Sequence, residues 1–363
     1  MKIGITFNMS VAVWANGMQQ NIVFLYSLLS KAGNDCYYIT HEQPKYSIHK
    51  DHKGMVLDDL MDDKQEALDV LIVAGFDLFE DMYIELKRRN PSMKVILIHY
   101  GNKLMDDMHY GISGPDSNNN PIEAPKYLDQ VWTSPHYAFA IDYLKTYYNH
   151  ENIKIIPYIW DSFFVDEKVE ALKNKKLTPE FDVSARKQIC IFEPNKNHTK
   201  TALLPIMICE RYYQLFGEDI ESINVFCCKH LRERKFFKLF IKRLEIGKKE
   251  DYMFFNNRWG ALEACSKFGK TVVSHQFYNE LNYSHLEKLY LGLPLIHNSD
   301  ALQDVGYYYP QFDVDMGAKQ LKSAIENHAS TINQYKKDAA KIIQKFSIHD
   351  QENINVYSEF LNE

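Results

Sequence analysis

Ser274-His275-Gln276-Phe277-Tyr278-Asn279-Glu280-Leu281-Asn282-Tyr283-Ser284-His285-Leu286-Glu287-Lys288-Leu289-Tyr290-Leu291-Gly292-Leu293-Pro294-Leu295-Ile296-His297-Asn298-Ser299 is the stretch that decides how this chain is read. A run of polar side chains enters a helix at Asn282, Tyr283 and Ser284. That helix carries Glu287 one turn in and ends at Gly292 and Pro294, before a short apolar strand. A helix start leaves N–H groups unpaired and the positive end of the dipole exposed, which suits a diphosphate. Glu287 is spaced to accept hydrogen bonds from a ribose, while His275 and Asn279 would face a sugar. A solvated capping segment would explain the helix start but not the polar run from His275 to Ser284.

The same rhythm extends outward in both directions. Apolar runs at Gln188 to Phe192, Ser222 to Cys228, Tyr252 to Phe255, Thr271 to Ser274 and Pro294 to His297 alternate with helical patterns at Lys200 to Phe216, Leu231 to Leu244 and Arg258 to Ser266. An earlier series has strands at Lys2 to Phe7, Cys36 to Thr40, Val70 to Ala74, Lys94 to His99, Gln130 to Ser134 and Lys154 to Pro157. Its helices fall at Asn21 to Lys31 and Glu80 to Arg89. Strands alternating with helices predict βαβ units and parallel sheets. The reading is therefore α/β, with two Rossmann-like domains facing across a cleft. Residues 1–165 form the N-terminal acceptor domain, 166–187 a Lys-rich connector and 188–335 the nucleotide-sugar domain. Residues 336–363 form C-terminal helices packing back toward the first domain. Residues 114–121 read as a loop rich in Gly, Pro and Asn.

Composition bounds the function. The chain has 363 residues, is 45% hydrophobic and carries a formal charge of −6, so it can bury two cores and is not a generally basic nucleic-acid coat. Its six cysteines have neither a C-x-x-C pair nor zinc spacing, and are expected to be reduced and buried. No run reaches the roughly 18 apolar residues of a membrane span, and the start of the chain reads as a strand, not a signal peptide. The expected location is cytoplasmic, in the host cytoplasm if the chain is phage-encoded.

Ligands of doubly wound sheets bind beyond the carboxyl ends of strands, so polar residues there are the candidates. After the first strand come Trp14, Asn16, Gly17, Gln19, Gln20 and Asn21, suited to sugar hydroxyls. His99, at the end of the fourth strand, and Asp77, after the third, are candidate bases for an acceptor proton. Each has a plainer reading, as a packed histidine and a helix cap. Asn195, Lys196 and Lys200 leave the first strand of the second domain, where the lysines would neutralise a diphosphate. The stretch 229–249 holds nine Lys and Arg against Glu233 and Glu245, with Phe236, Leu239, Phe240 and Leu244 at helical spacing. Arg232, Arg234, Lys235, Lys238, Lys242 and Arg243 there form a candidate DNA-phosphate face, or else a solvated surface.

These residues carry a family resemblance. Met1 to Thr6, Gly17 to Asn21, Gly101-Asn102, Val131-Trp132-Thr133, Pro157 with Trp160, Phe192-Glu193-Pro194-Asn195, Ser274-His275-Gln276 and the Asn282 to Ser299 block resemble a group of phage and bacterial proteins of formerly unknown function, similar to GT-B glycosyltransferases. Tyr283 to Glu287 also resembles the phage enzymes that glucosylate hydroxymethylcytosine in DNA. The resemblance implies transfer of a sugar, glucose or arabinose, from a uridine-diphosphate donor, with no metal required. It implies a hydroxyl acceptor, for which hydroxymethylcytosine in double-stranded phage DNA is the preferred reading. The alternatives are a surface-glycan precursor, with the basic helix on anionic lipid headgroups, and an inactive binding module. Many retaining GT-B enzymes have a glutamate where this chain has Asn279. A dinucleotide-dependent oxidoreductase is disfavoured, since no G-x-G-x-x-G follows either first strand.

Overall fold

The computed structural model describes residues 1–10, 13, 17–42, 51–62, 66–114, 127–184, 187–217 and 220–363. Trp14 and Asn16 lie outside the described residues, as does the expected loop at 114–121 beyond Gly114. The chain divides into two compact units, Met1–Asp161 with Phe346–Glu363, and Ser162–Lys345.

The first unit contains β1 (Lys2–Thr6), α1 (Gly17–Lys31), β2 (Asp35–Thr40), β3 (Gly54–Val56), α2 (Leu57–Leu60), β4 (Val70–Val73), α3 (Glu80–Arg89), β5 (Lys94–His99), α4 (Lys103–Ser113), β6 (Gln130–Thr133), α5 (Ile141–Tyr148) and β7 (Ile153–Ile155). Its seven strands run in the order β3-β2-β1-β4-β5-β6-β7, all parallel. The β-branched and leucine-rich strands are buried on both faces, as a parallel sheet covered by helices requires. Ile39, Leu71, Val73, Val95, Leu97 and Val131 form much of one core.

Helix α1 begins four residues before the apolar pattern suggests. Gln19, Gln20 and Asn21 therefore lie buried within it, not in a preceding loop. Gln and Met are good helix formers, so nothing at 18–20 stops the helix from starting at Gly17.

The second unit contains α6 (Phe163–Lys173), β8 (Gln188–Ile191), α7 (Leu203–Phe216), β9 (Ser222–Val225), α8 (Lys235–Arg243), α9 (Glu245–Lys248), β10 (Met253–Phe255), α10 (Ala261–Lys267), β11 (Thr271–Val273), α11 (Tyr283–Tyr290), β12 (Leu295–His297), β13 (Tyr307–Tyr308) and α12 (Val314–Gln344). Its parallel sheet runs β10-β9-β8-β11-β12-β13. The Lys-rich stretch 166–187 thus starts inside α6. Helix α8 is shorter than its periodicity suggests, because Arg234 and Leu244 are both extended and bound it at either end.

After α12 the chain returns to the first unit with α13 (Gln351–Asn362). The backbone N–H of Trp160 donates to the Phe346 carbonyl at 2.7 Å. The Tyr357 hydroxyl donates to the Pro157 carbonyl at 2.9 Å and Gln130 Nε2 to the Phe360 carbonyl at 2.9 Å. The Tyr357 ring meets Trp132 edge-on.

Candidate functional site

In both sheets the order of strands reverses direction at one place, between β1 and β4 and between β8 and β11. Such a switch point opens a crevice at the carboxyl edge. In the first unit Thr6 spans it: its Oγ1 accepts from the backbone N–H groups of Ala74 at 2.9 Å and Gly75 at 3.0 Å. The chains approach so closely that a Cβ on Gly75 would lie 2.8 Å from Asn8 N and Thr6 O. Gly17 sits exposed at the start of α1 and its carbonyl accepts from Asn21 Nδ2 at 2.9 Å.

The second unit has a more elaborate bridge. Glu193, just beyond β8, is only 2% exposed. Its Oε1 accepts from Ser274 Oγ at 2.6 Å and from the His275 N–H at 3.3 Å, and its Oε2 accepts from Gln276 Nε2 at 2.8 Å. One carboxylate therefore fastens β8 to the loop leaving β11. Gln276 passes the order onward, its Oε1 accepting from Asn279 Nδ2 at 3.1 Å and Asn282 Nδ2 at 3.3 Å. Asn298, beyond β12, exchanges two hydrogen bonds with the Gln276 backbone, each at 2.8 Å. Burial pushes the Glu193 carboxyl up to about 7, against the opposing pull of Ser274, Lys200, His275 and Gln276.

This loop delivers α11. Asn282 is its cap, with Oδ1 accepting from the Ser284 N–H at 3.0 Å. Its carbonyl takes the His285 N–H at 2.9 Å. Asn282 thus shapes the helix start and occupies donors that the sequence had left open for phosphate. One turn on, Glu287 Oε2 accepts from Lys288 Nζ at 3.2 Å, and Ser284 Oγ accepts from the same ammonium at 2.8 Å. The Lys288 side chain is fully buried, whereas that of Glu287 keeps 18% exposure. The helix closes with Gly292 at φ +67, the left-handed residue that a C-terminal cap favours.

Burial disfavours the charged form of His275 and His285. Tyr309 donates its hydroxyl proton to the Ser274 carbonyl at 3.0 Å. His275 Nδ1, 3.0 Å from the Tyr309 hydroxyl oxygen, must then carry the ring proton. Its Nε2 is left as a buried acceptor without a partner among the described residues. Burial lowers His275 to about 4. By the same logic His285 Nε2–H donates to Ser274 Oγ at 2.9 Å, which donates to Glu193.

The remaining candidates fall as follows. Asn195, at φ +56, donates to the carbonyls of Glu193 at 2.7 Å and Cys227 at 3.3 Å and accepts from the Ala202 N–H at 2.8 Å. It is a loop-shaping residue. Lys196 is exposed and Lys200 half-buried, Lys200 lying near enough to pull on Glu193. Tyr283 is buried, and Asn279 faces Gln276.

His99 Nε2 meets Tyr148 Oη at 2.6 Å, and burial and then Lys103 lower it to about 4. A ring that binds a proton so weakly is a poor general base. Asp77 Oδ1 accepts from the Leu78 N–H at 2.8 Å and the Tyr83 hydroxyl at 2.5 Å, and α3 has no side-chain cap. Arg232, Arg234, Lys235, Lys238, Lys242 and Arg243 are all exposed, on α8 and the turn before it.

Sequence reasoning missed Glu193, Gln276, Asn298 and Lys288 as site residues. Among the described residues, no group of His, Cys, Asp and Glu could hold a metal ion. No helix there is long and apolar enough to cross a membrane.

Two Rossmann-like units with this strand order define the GT-B class of fold. The chain belongs to the family described as a protein of unknown function (DUF2827), whose profile matches residues 3–361. No curated protein matches. The fold is similar to an alpha-glucosyltransferase solved with UDP and a 13-mer DNA containing a HMU base, at 12% identity and TM-score 0.57 over 100% of this chain and 99% of that one. It is similar to an alpha,alpha-trehalose 6-phosphate synthase from Burkholderia multivorans, at 9% identity and TM-score 0.58 over 99% and 98%. TarM of S. aureus shares 15% identity at TM-score 0.52. That match covers 81% of this chain, which spans about half of TarM's length (55%).

Proposed function

We propose that this protein transfers a sugar from a uridine-diphosphate sugar to a hydroxyl group. The observation that carries the reading is the carboxyl edge of the second sheet, where Glu193 fixes the loop that presents α11 and Glu287. Glu287 Oε2 is held by Lys288, so Oε1 is the atom offered to the ribose hydroxyls. The diphosphate would lie toward the positive end of α11, with Lys200 and Lys196 adding charge and the Ser284 hydroxyl donating its own proton. His275 Nε2 would accept from a hydroxyl of the transferred sugar. Stabilising the departing UDP is electrostatic work by groups already in position. Asp77 is the better candidate for the acceptor proton, because His99 is a neutral ring committed to Tyr148. Glucose and arabinose are the sugars of this reading.

Two acceptors remain in view. Hydroxymethylcytosine in duplex DNA would use only the charge of the 229–249 face. A surface-glycan precursor at an anionic membrane would use its charge and its apolar residues together. Phe236 is 71% and Leu239 53% exposed on that face, and they favour the second acceptor. Titration calorimetry with UDP tests the donor site. Glu287→Ala should weaken binding by ~1–3 kcal/mol, the loss expected for hydrogen bonds to a charged group. Unchanged affinity would remove Glu287 from the site.

A further inference from the structure

Helix α8 carries a surface that donor binding does not use. Its inner residues Phe237, Phe240 and Ile241 pack on the core of the second unit. Successive residues turn by about 100° around a helix, so Lys235, Leu239 and Lys242 point directly away from that core. Phe236 and Arg243 flank them on one side and Lys238 on the other. Lys235 and Leu239 therefore share the centre of the outward face, and Phe236 stands bare beside Leu239. Of the six cations Arg232, Arg234, Lys235, Lys238, Lys242 and Arg243, only Lys238 forms an ion pair among the described residues, with Glu233 at 2.8 Å.

A leucine and a phenylalanine ringed by cations, of which Lys238 alone is paired among the described residues, match a boundary with two phases. Duplex DNA supplies phosphates but takes in an apolar wedge only by unstacking a base step, at a cost of a few kcal/mol. An anionic bilayer supplies phosphates at the headgroups and hydrocarbon immediately beneath. We infer that α8 docks the second unit on an anionic membrane surface, with Phe236 and Leu239 entering the acyl boundary and the lysines and arginines at headgroup level. Docking itself does not depend on sugar transfer. Its use, bringing the enzyme to a glycan precursor held at the membrane, rests on the function proposed above.

Co-sedimentation of the full chain with phosphatidylcholine vesicles, with and without phosphatidylglycerol, tests the inference beside a duplex-DNA shift assay. Binding is expected only to vesicles containing phosphatidylglycerol, and added salt should weaken it. The surface double variant Phe236→Ser with Leu239→Ser should lose about tenfold or more in binding, because two apolar side chains are no longer there to leave water. Lys235→Glu, Lys238→Glu and Lys242→Glu together should abolish it. Circular dichroism and UDP titration on the same preparations read folding and the donor site separately. Absence of vesicle binding, vesicle binding that the serine variant retains in full, or duplex-DNA binding in place of vesicle binding would overturn the inference.

Discussion

Replacing Glu193 by glutamine changes one atom of the switch-point bridge and removes one titration. Burial holds the Glu193 carboxyl at about 7, against an ordinary 4.5, so the folded protein favours its neutral form. The associated stability is complete below about pH 4.5 and is lost as the pH rises from there through about 7. At about 1.4 kcal/mol per pH unit, the full displacement is worth about 3 kcal/mol. Glutamine keeps the shape but cannot ionise. It also sets an amide nitrogen near the donors Ser274 and Gln276, a cost that is the same at every pH. Urea unfolding of wild type and Glu193→Gln, side by side at about pH 5 and about pH 8, cancels the other titrating groups. The stability of wild type relative to the variant should fall by about 2–3 kcal/mol across that interval. A difference constant to within about 0.5 kcal/mol would refute the claim that burial outweighs the three donors at this carboxylate.

Lys288→Met should destabilise the second unit by about 1–3 kcal/mol, since it leaves the largely buried Glu287 carboxylate and the Ser284 hydroxyl without their shared ammonium. It should weaken UDP binding by about 1 kcal/mol, less than Glu287→Ala, because Glu287 loses its anchor but keeps its carboxylate. Gly75→Ala should destabilise the first unit by about 1–3 kcal/mol in thermal unfolding, as its Cβ has only backbone to meet. Tyr357→Ala should cost about 3–5 kcal/mol and Tyr357→Phe about 1 kcal/mol, a graded pair that reports the docking of α13 on the first unit.

Much of the architecture was legible because parallel strands buried on both faces announce themselves as apolar runs. Val70 to Val73 and Lys94 to His99 are examples. Helix α4 was not read, although Leu104, Met108 and Ile112 recur at helical spacing, and none of its residues is buried. The cap at Asn282 and the stop at Gly292 and Pro294 are local chemistry and were read from their neighbours. Glu193 could not be found that way. Its partners Ser274 and Gln276 are about 80 positions away in sequence, and only the placement of β11 beside β8 makes its burial intelligible. Nothing in the sequence singles out Lys288 beside Glu287, and its burial follows from the face that α11 turns inward. The cationic face of α8 was visible as composition. The exposure of Phe236 and Leu239 depended on where the helix begins and ends.

The central claim is donor chemistry, and turnover measures it most directly. The protein would be incubated with UDP-glucose and UDP-arabinose, with either a membrane-bound glycan precursor or duplex DNA containing hydroxymethylcytosine. UDP release and acceptor mass would be read together. The account predicts UDP release accompanied by a hexose or pentose gain on one acceptor, the glycan precursor before the DNA. No UDP release from either donor, together with no measurable binding of UDP, would contradict it.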